Sequence, residues 1–398
     1  MDLRDYNIDT MNKFSWPSFS QTEVAKVSQV LRSNKVNYLF GDQGRKFEKN
    51  FSQFANSKYS LAVANGTLAL DISLRALNLK PGDEVLITSR SFIASASSIA
   101  LLGGVPVWCD VDMNSQNISL AEIIKKTSKK TKGIICVHFA GFPCDMREIV
   151  EYAALKNLFV LEDCAQAHGA SIGEKSVGSF GDISAWSFCN DKIMTLGGEG
   201  GMVTTNSSML YGYIASFNNH GKNLKKYFSS KTHHFFPYIH ESLGSNYRLT
   251  EMQSAIGIHQ LSKMKSWTSA RQRNAKIFLN AIQGLDIINS PILPKNYQHA
   301  WYKLYLTLNP AFLKRSATRQ KIIADLNAQN VPCSFGGSGE MYKEGAVAKI
   351  AQKKEGFLPN ASFLERNALM LQVHPTITME ECMRRAKILK AILQNAQK

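Results

Sequence analysis

The chain has 398 residues, of which 44% are hydrophobic and 20% charged, the composition of an ordinary globular protein. This length exceeds one compact core, so we expect two domains, residues 1–265 and 266–398. The formal net charge is +16, but the basic residues are scattered along the chain, which disfavours a nucleic-acid partner. A polyanionic small substrate would fit this charge equally well. With no apolar run long enough for a membrane span and no CxxC cysteine pair, we expect a cytoplasmic protein without a membrane partner.

Helical and strand-like patterns alternate along the first half of the chain. Helical spacing covers residues 22–33 and 67–77. The predicted strands are residues 84–88, 105–109, 133–137, 158–162, 183–188 and 201–205. Continuous apolar strands between helices are typical of a mostly parallel sheet buried on both faces. Ligands of such sheets bind beyond the carboxyl ends of the strands, where we expect the functional site.

The second half of the chain shows a different pattern. Residues 219–245 lack periodicity and are predicted to form a long loop. A helix over about 249–265 is expected to end the large domain. Beyond it, a helix, a strand over 301–308 and further helices predict a smaller α+β domain.

Two charged residues define the predicted site. Lys192 follows the strand 183–188 and precedes the glycine run Gly197–Gly201, and Asp163 follows the strand 158–162. An amine that can form a Schiff base, with an acid that keeps a ring nitrogen protonated, is typical of enzymes with an aldehyde cofactor. Taken alone, Asp163 is equally consistent with a carboxylate that caps a loop. A solvent-exposed lysine is the default for Lys192, but the glycine run indicates close backbone packing beside it.

Several weaker signals surround these two residues. Gly66 and Thr67 open a helix, whose N–H groups suit a phosphate, although a plain turn with Thr67 as N-cap is the better explanation for this segment alone. Ser187 is placed to bind a phosphate, and Gln166 to contact a ring hydroxyl. His168 is as consistent with packing as with substrate contact. We expect no metal site, since no ligand set converges in the sequence.

Together these segments resemble the DegT/DnrJ/StrS family of sugar-nucleotide aminotransferases, from about residue 16 to residue 393. The matching segments are Asn65–Leu70, Pro81–Val85, Glu162–Ala170, Gly178–Asp182, Ser187–Lys192, Gly198–Gly201, Asn219–Gly221, Gly244–Gln253 and His374–Thr376. The resemblance implies an α/β fold-type I aminotransferase. Its large domain would hold a mostly parallel seven-stranded sheet flanked by helices, followed by the smaller α+β domain.

The resemblance also implies the cofactor and its contacts. The cofactor would be pyridoxal 5′-phosphate, with pyridoxamine 5′-phosphate formed during the reaction, and the enzyme a homodimer with shared active sites. Lys192 would form the Schiff base and Asp163 would face the pyridine nitrogen, as the catalytic pair. The further cofactor-binding residues would be Gly66, Thr67 and Ser187 at the phosphate, Gln166 at the ring oxygen, Phe92 stacked on the ring and Asn246 at the phosphate of the neighbouring subunit. Core packing is the alternative role for Phe92.

The resemblance implies transfer of an amino group from L-glutamate to a nucleotide-linked sugar. The predicted acceptor is the 4-keto group of UDP-2-acetamido-2,6-dideoxy-4-ketoglucose, in the synthesis of a surface glycan such as the lipopolysaccharide O-antigen. A dTDP-4-keto-6-deoxyhexose or GDP-perosamine enzyme is the nearest alternative. A non-catalytic regulator that binds the cofactor is the alternative of another class. The segment 335–340 and the basic loop 221–240 depart from relatives and leave the sugar open.

Overall fold

The computed structural model describes residues 15–223, 226, 239–348 and 356–398. Within these ranges, helices and strands alternate as the sequence predicts. The helices are α1 (Gln21–Arg32), α2 (Gln43–Phe54), α3 (Gly66–Ala76), α4 (Ala94–Leu101), α5 (Leu120–Lys126), α6 (Met146–Lys156), α7 (Ser208–Phe217), α8 (Glu251–Ile282), α9 (Arg319–Ala328), α10 (Gly345–Ala348), α11 (Pro359–Asn367) and α12 (Met379–Ala396). Most of the predicted loop 221–240 lies outside the described residues.

The strands form one large sheet and two small ones. They are β1 (Tyr59–Val63), β2 (Glu84–Thr88), β3 (Val105–Cys109), β4 (Thr131–Val137), β5 (Phe159–Asp163), β6 (Ser171–Ile172), β7 (Lys175–Ser176), β8 (Ile183–Ser187), β9 (Gly201–Thr205), β10 (Ile288–Asn289), β11 (Tyr297–Gln298), β12 (Leu304–Leu308), β13 (Cys333–Ser334) and β14 (Ala368–Leu371). All six strands predicted for the first half are present, and β1, β6 and β7 are additions.

The large sheet has seven strands in the order β1-β9-β8-β5-β4-β2-β3. Only β9 runs against the others, since it pairs antiparallel with both β1 and β8. Helices cover both faces, so the central strands are buried along almost their whole length. The predicted mostly parallel α/β fold is confirmed. Because β5 and β8 are adjacent and parallel, the residues that follow them meet at one edge of the sheet.

The C-terminal part of the chain has its own antiparallel sheet, β10-β12-β14-β13. Its apolar face packs against α8, α9 and α12 in a separate core cluster that includes Phe278, Leu306 and Leu389. The predicted smaller α+β unit is therefore present. Among the described residues, no helix is both long enough and apolar enough to cross a membrane.

The long helix α8 corrects one prediction. It does not end near residue 265 but continues to Ile282. A capping box between Thr250 and Gln253 fixes its start. Its first half packs against α1 and α2, and its second half against α12. The boundary between residues 265 and 266 thus falls inside one continuous helix, and the division into two domains remains a prediction.

Candidate active site

A cavity of about 1010 Å³ opens at the carboxyl ends of β5 and β8. Its walls come from the large sheet, from the N-terminus of α3 and from the C-terminal unit. Of the eight predicted site residues, seven line it. They are Gly66, Thr67, Phe92, Asp163, Gln166, Ser187 and Lys192. The sequence therefore predicts the position of the cavity and most of one wall.

Asp163 ends β5 and is 5% exposed. Its Oδ2 accepts a hydrogen bond of 2.7 Å from Ser95 Oγ, and its Oδ1 accepts one of 3.1 Å from the backbone N–H of Ala165. Burial raises the pKa of Asp163 above its ordinary value, although these hydrogen bonds and the Lys192 ammonium oppose the shift. A buried carboxylate in this state gains from a cation placed against it.

Lys192 lies in the loop after β8 with its side chain mostly buried. Its Nζ is 3.7 Å from Asp191 Oδ1 and 5.1 Å from the ring centroid of Tyr302. The backbone is held as well, since the carbonyl oxygen of Lys192 accepts a 2.8 Å hydrogen bond from Trp16 Nε1. The amine is therefore directed into the cavity by an aromatic ring and a carboxylate.

The N-terminus of α3 forms the narrow end of the cavity. Its N-cap is Asn65, whose side chain accepts a 2.9 Å hydrogen bond from the backbone N–H of Leu68, so the expectation of Thr67 as N-cap is wrong. A Cβ on Gly66 would lie 2.6 Å from Ser187 Cβ, and a Cβ on Gly201 would lie 2.3 Å from the Asn65 carbonyl oxygen. Two glycines thus allow the helix end to approach β8 closely, where free N–H groups and two hydroxyls suit a phosphate.

Two further residues lie on the walls of the cavity. Gln166 Oε1 accepts a 2.7 Å hydrogen bond from the backbone N–H of Ala140, which leaves its amide N–H₂ available. Phe92 is 67% exposed beside the cavity. A large exposed ring at this position is not core packing, so that alternative for Phe92 is excluded.

Asn246 is the predicted site residue that does not line the cavity. It is exposed, and its Oδ1 accepts a 3.4 Å hydrogen bond from the backbone N–H of Arg248. Its role toward a neighbouring subunit stays a prediction. His168 is fully buried between Trp186 and Phe188, with ring centroids 5.2 and 5.4 Å away, and does not line the cavity. Burial lowers its pKa to about 3, so His168 is a neutral packing residue.

The sequence analysis predicts no role for three further residues that line the cavity. They are Asp191, Tyr302 and Lys303. The Tyr302 hydroxyl donates to Asp191 Oδ2, and the same ring contacts Lys192. The signal in the sequence was a polar pair directly before the apolar strand β12. Its role is recognised only when the residues before that strand are known to line the cavity.

One group of buried side chains has the spacing of a metal site. The ligand atoms of His138, Glu162 and Cys164 lie within 4.8 Å of one another. Four N–H groups already occupy the carboxylate of Glu162, from His138 Nε2 and from the backbone of residues 178, 180 and 181. Hydrogen bonding alone therefore accounts for this cluster.

Comparisons with known proteins agree with this geometry. Residues 17–390 match the model of the DegT/DnrJ/EryC1/StrS aminotransferase family. The chain is 38% identical to GDP-perosamine synthase of Escherichia coli O157:H7 over 68% of this chain and 71% of the relative. It is 32% identical to UDP-N-acetyl-3-dehydro-alpha-D-glucosamine 3-aminotransferase of Acidithiobacillus ferrooxidans over 90% of each. The crystal structure of an aminotransferase from Psychrobacter cryohalolentis superposes with a TM-score of 0.93 and 44% identity, covering 96% of this chain and 99% of that one.

The aminotransferases of this family use pyridoxal phosphate, and the residues of the cavity fit that group. The glycine-lined N-terminus of α3 suits its phosphate. The carboxylate of Asp163, buried and without an ion pair among the described residues, suits a protonated ring nitrogen. Lys192 supplies the amine. The chain belongs to the DegT/DnrJ/EryC1/StrS aminotransferase family and is an enzyme that uses pyridoxal phosphate to aminate a nucleotide-linked sugar.

Proposed function

We propose that this enzyme transfers the amino group of L-glutamate to the 4-keto group of UDP-2-acetamido-2,6-dideoxy-4-ketoglucose. The observation that carries the proposal is the convergence of Lys192, Asp163 and the N-terminus of α3 on one cavity. The volume of about 1010 Å³ accommodates a cofactor together with a bulky second substrate.

The side chains of the cavity divide the chemistry among them. The bound cofactor supplies an electron sink for the carbon that loses its proton. Lys192 acts as general base and acid, moving that proton between the substrate carbon and the cofactor carbon. Asp163 holds the proton of the ring nitrogen through a charge-assisted hydrogen bond. Asp191 and Tyr302 orient the lysine amine for this transfer.

The relatives support the substrate class and leave its details to experiment. The Acidithiobacillus relative is named for a UDP-linked N-acetylated sugar with a 3-keto group, and the Escherichia relative for GDP-perosamine. The UDP carrier and the acetamido group of our proposal follow the former name, and the ketone at position 4 is our own assignment. Residues Gly336, Gly337 and Ser338 line the cavity on the side of the C-terminal unit and are the described residues we assign to the sugar.

Three further assignments complete the proposal. We place Asn246, exposed and outside its own cavity, against the phosphate site of a second copy, so that a homodimer shares its active sites. We place the enzyme in the cytoplasm, because six of its seven cysteines are buried and the sequence contains no CxxC pair. We assign the product to surface glycan synthesis, for example of the lipopolysaccharide O-antigen.

The experiment is a panel of acceptors. The purified enzyme, loaded with pyridoxal phosphate, is incubated with L-glutamate and with 4-keto-6-deoxy sugars linked to UDP, dTDP and GDP, and with a UDP-linked 3-keto sugar. We expect the largest kcat/KM for the UDP-linked acetamido 4-keto sugar, with the new amine at C4 by mass spectrometry and NMR. Preference for the 3-keto sugar or for another nucleotide would contradict the substrate, and Lys192→Ala serves as the inactive control.

A further inference from the structure

The cavity contains a second lysine in addition to Lys192. Lys303 lines the cavity directly before β12, and its Nζ lies 5.0 Å from the ring centroid of Tyr302. Lys192 contacts the same ring at 5.1 Å. One aromatic side chain therefore positions two ammonium groups in the same cavity.

Lys303 is the cation that stays available when Lys192 is committed to the cofactor. Among the cavity-lining residues that the structure describes, Lys192 and Lys303 are the two that carry positive charge. Within the described ranges, no carboxylate lies within ion-pair distance of Lys303 Nζ, and Asp191 acts on it only as a longer-range charge. Burial lowers the pKa of Lys303, with Asp191 opposing the shift. An ammonium that is partly desolvated and unpaired gains from an anionic partner.

The backbone that presents Lys303 is held in a conformation that rarely forms by itself. Trp301 has a φ of 52°, in the left-handed region that bulky residues seldom adopt. Arg271, fully buried, donates from Nη1 to the carbonyl oxygens of Trp301 and Tyr302 at 3.1 Å each. The N–H of Trp301 donates to His299 Nδ1 at 2.8 Å. Surroundings that enforce such a backbone are typical of functional sites, where they fix the direction of a side chain.

We propose that Lys303 binds an anionic group of a substrate in the active-site cavity, a carboxylate of the amino donor or the diphosphate of the nucleotide sugar. The proposal rests on the proposed function, because it assigns a contact to one of its two substrates. Both candidates offer oxygen anions that an ammonium recognises as a point charge. Lys303 is thus a binding residue of the transamination site, not its base.

The test measures equilibrium binding and does not depend on turnover. Calorimetry is performed on the pyridoxal phosphate form of the wild type, Lys303→Gln and Lys303→Arg. The two probes are glutarate, a dicarboxylate without an amine, and UDP, a nucleoside diphosphate. We expect Lys303→Gln to weaken one of the two probes about tenfold and Lys303→Arg to retain most of the affinity. Loss toward glutarate identifies the donor carboxylate, and loss toward UDP identifies the diphosphate. The matched control is Lys129→Gln, at an exposed lysine outside the cavity.

Two results would overturn the proposal. Unchanged affinity of Lys303→Gln for both probes would remove the anion contact, and an equal loss in Lys303→Arg would assign the effect to shape rather than charge. The cofactor absorbance of each variant shows that its site is folded and loaded. The two half-reactions distinguish failure of this proposal from failure of the proposed function. If the proposed function is right, glutamate converts the pyridoxal phosphate of the wild type to pyridoxamine phosphate, whichever anion Lys303 contacts. In Lys303→Gln the apparent KM for glutamate, or that for the sugar in protein loaded with pyridoxamine phosphate, rises while the absorbance spectrum stays unchanged.

Discussion

Glu162 and Asp163 are consecutive, both are buried, and they face opposite sides of the same sheet. Behind the sheet, Glu162 accepts four hydrogen bonds, of 2.7 to 3.1 Å, from one imidazole and three backbone N–H groups. In the cavity, Asp163 accepts two, from Ser95 and Ala165. Burial by itself raises the pKa of both carboxyls.

The two carboxyls end with opposite pKa shifts. For Glu162 the hydrogen bonds from His138 and the backbone outweigh burial, and its pKa lies below the ordinary value. For Asp163 burial wins, and its pKa lies above the ordinary value. The difference in pKa indicates that Glu162 is the structural carboxylate and Asp163 the functional one. Hydrogen bonds within the chain compensate the burial of Glu162, whereas Asp163 needs a ligand to do so.

The largest effect is expected at Lys192, which lines the same cavity as Asp163. Lys192→Ala removes the amine that carries the proton, and we expect turnover to fall on the order of 10³-fold or more. The cofactor should still bind noncovalently through the N-terminus of α3. Borohydride reduction followed by mass spectrometry measures the covalent attachment, which Lys129→Ala should leave intact. Full activity in Lys192→Ala would end the assignment.

Asp163→Asn tests the functional member of the carboxylate pair. The amide keeps the shape and an acceptor oxygen but cannot pair with a cationic ring nitrogen. We expect kcat to fall on the order of 100-fold, the scale of one lost electrostatic group, with cofactor still bound. Near-normal turnover, measured with the same cofactor occupancy, would show that the ring nitrogen has another partner.

Glu162→Gln tests the structural member. In the glutamine, an amide N–H₂ replaces one of the two carboxylate oxygens. Whichever oxygen it replaces, its hydrogens would face N–H donors, because both oxygens of Glu162 accept hydrogen bonds. We expect the free energy of unfolding to fall by about 3 kcal/mol, with kcat per folded, loaded molecule little changed. Denaturant unfolding and activity at a temperature below the transition measure the two separately. A large loss of kcat in fully folded protein would contradict the division of roles.

The pH dependence of stability gives the smallest and most discriminating effect. Because the folded pKa of Glu162 is depressed, its contribution is present above the unfolded pKa of about 4.5 and is lost as the pH falls through the folded pKa. Asp163 has the opposite sign. Its folded pKa is raised, so in cofactor-free protein its contribution is lost as the pH rises from the unfolded pKa through the folded one.

At neutral pH, Asp163→Asn should therefore stabilise the cofactor-free protein while Glu162→Gln destabilises it. Differential scanning calorimetry of both variants in the absence of cofactor measures the two shifts. A lower Tm for cofactor-free Asp163→Asn would show that Asp163 is satisfied by its own chain, as Glu162 is.

Much of this arrangement follows from local sequence. Asp163 and Lys192 each follow a strand of continuous apolar residues, and parallel strands place their carboxyl ends together, so the position of the cavity follows from the sequence. Even the opposite orientation of Glu162 follows from the alternation of side chains along β5. The four partners of Glu162 could not be predicted, since three of them are backbone groups of a turn whose path depends on the folded chain.

The C-terminal wall was beyond sequence reasoning for a related reason. Tyr302 and Lys303 directly precede β12 of the C-terminal sheet, yet they line the cavity at the carboxyl ends of the large sheet. The helix α8 changes its packing partners midway, from α1 and α2 to α12, so its apolar positions change face and the periodic pattern weakens. The predicted end near residue 265 is therefore wrong, and the helix continues to Ile282.

The unbroken course of α8 has a practical consequence for dissecting the molecule. A truncation between residues 265 and 266 would cut one continuous helix into two short segments, and the C-terminal fragment would begin in the middle of a helix. Ala275, Phe278 and Ile282 belong to the core of the C-terminal unit, whereas Met264 belongs to a core cluster that also contains residues of α2. Recombinant fragments should therefore keep the entire helix, with its capping box at Thr250, on the C-terminal piece.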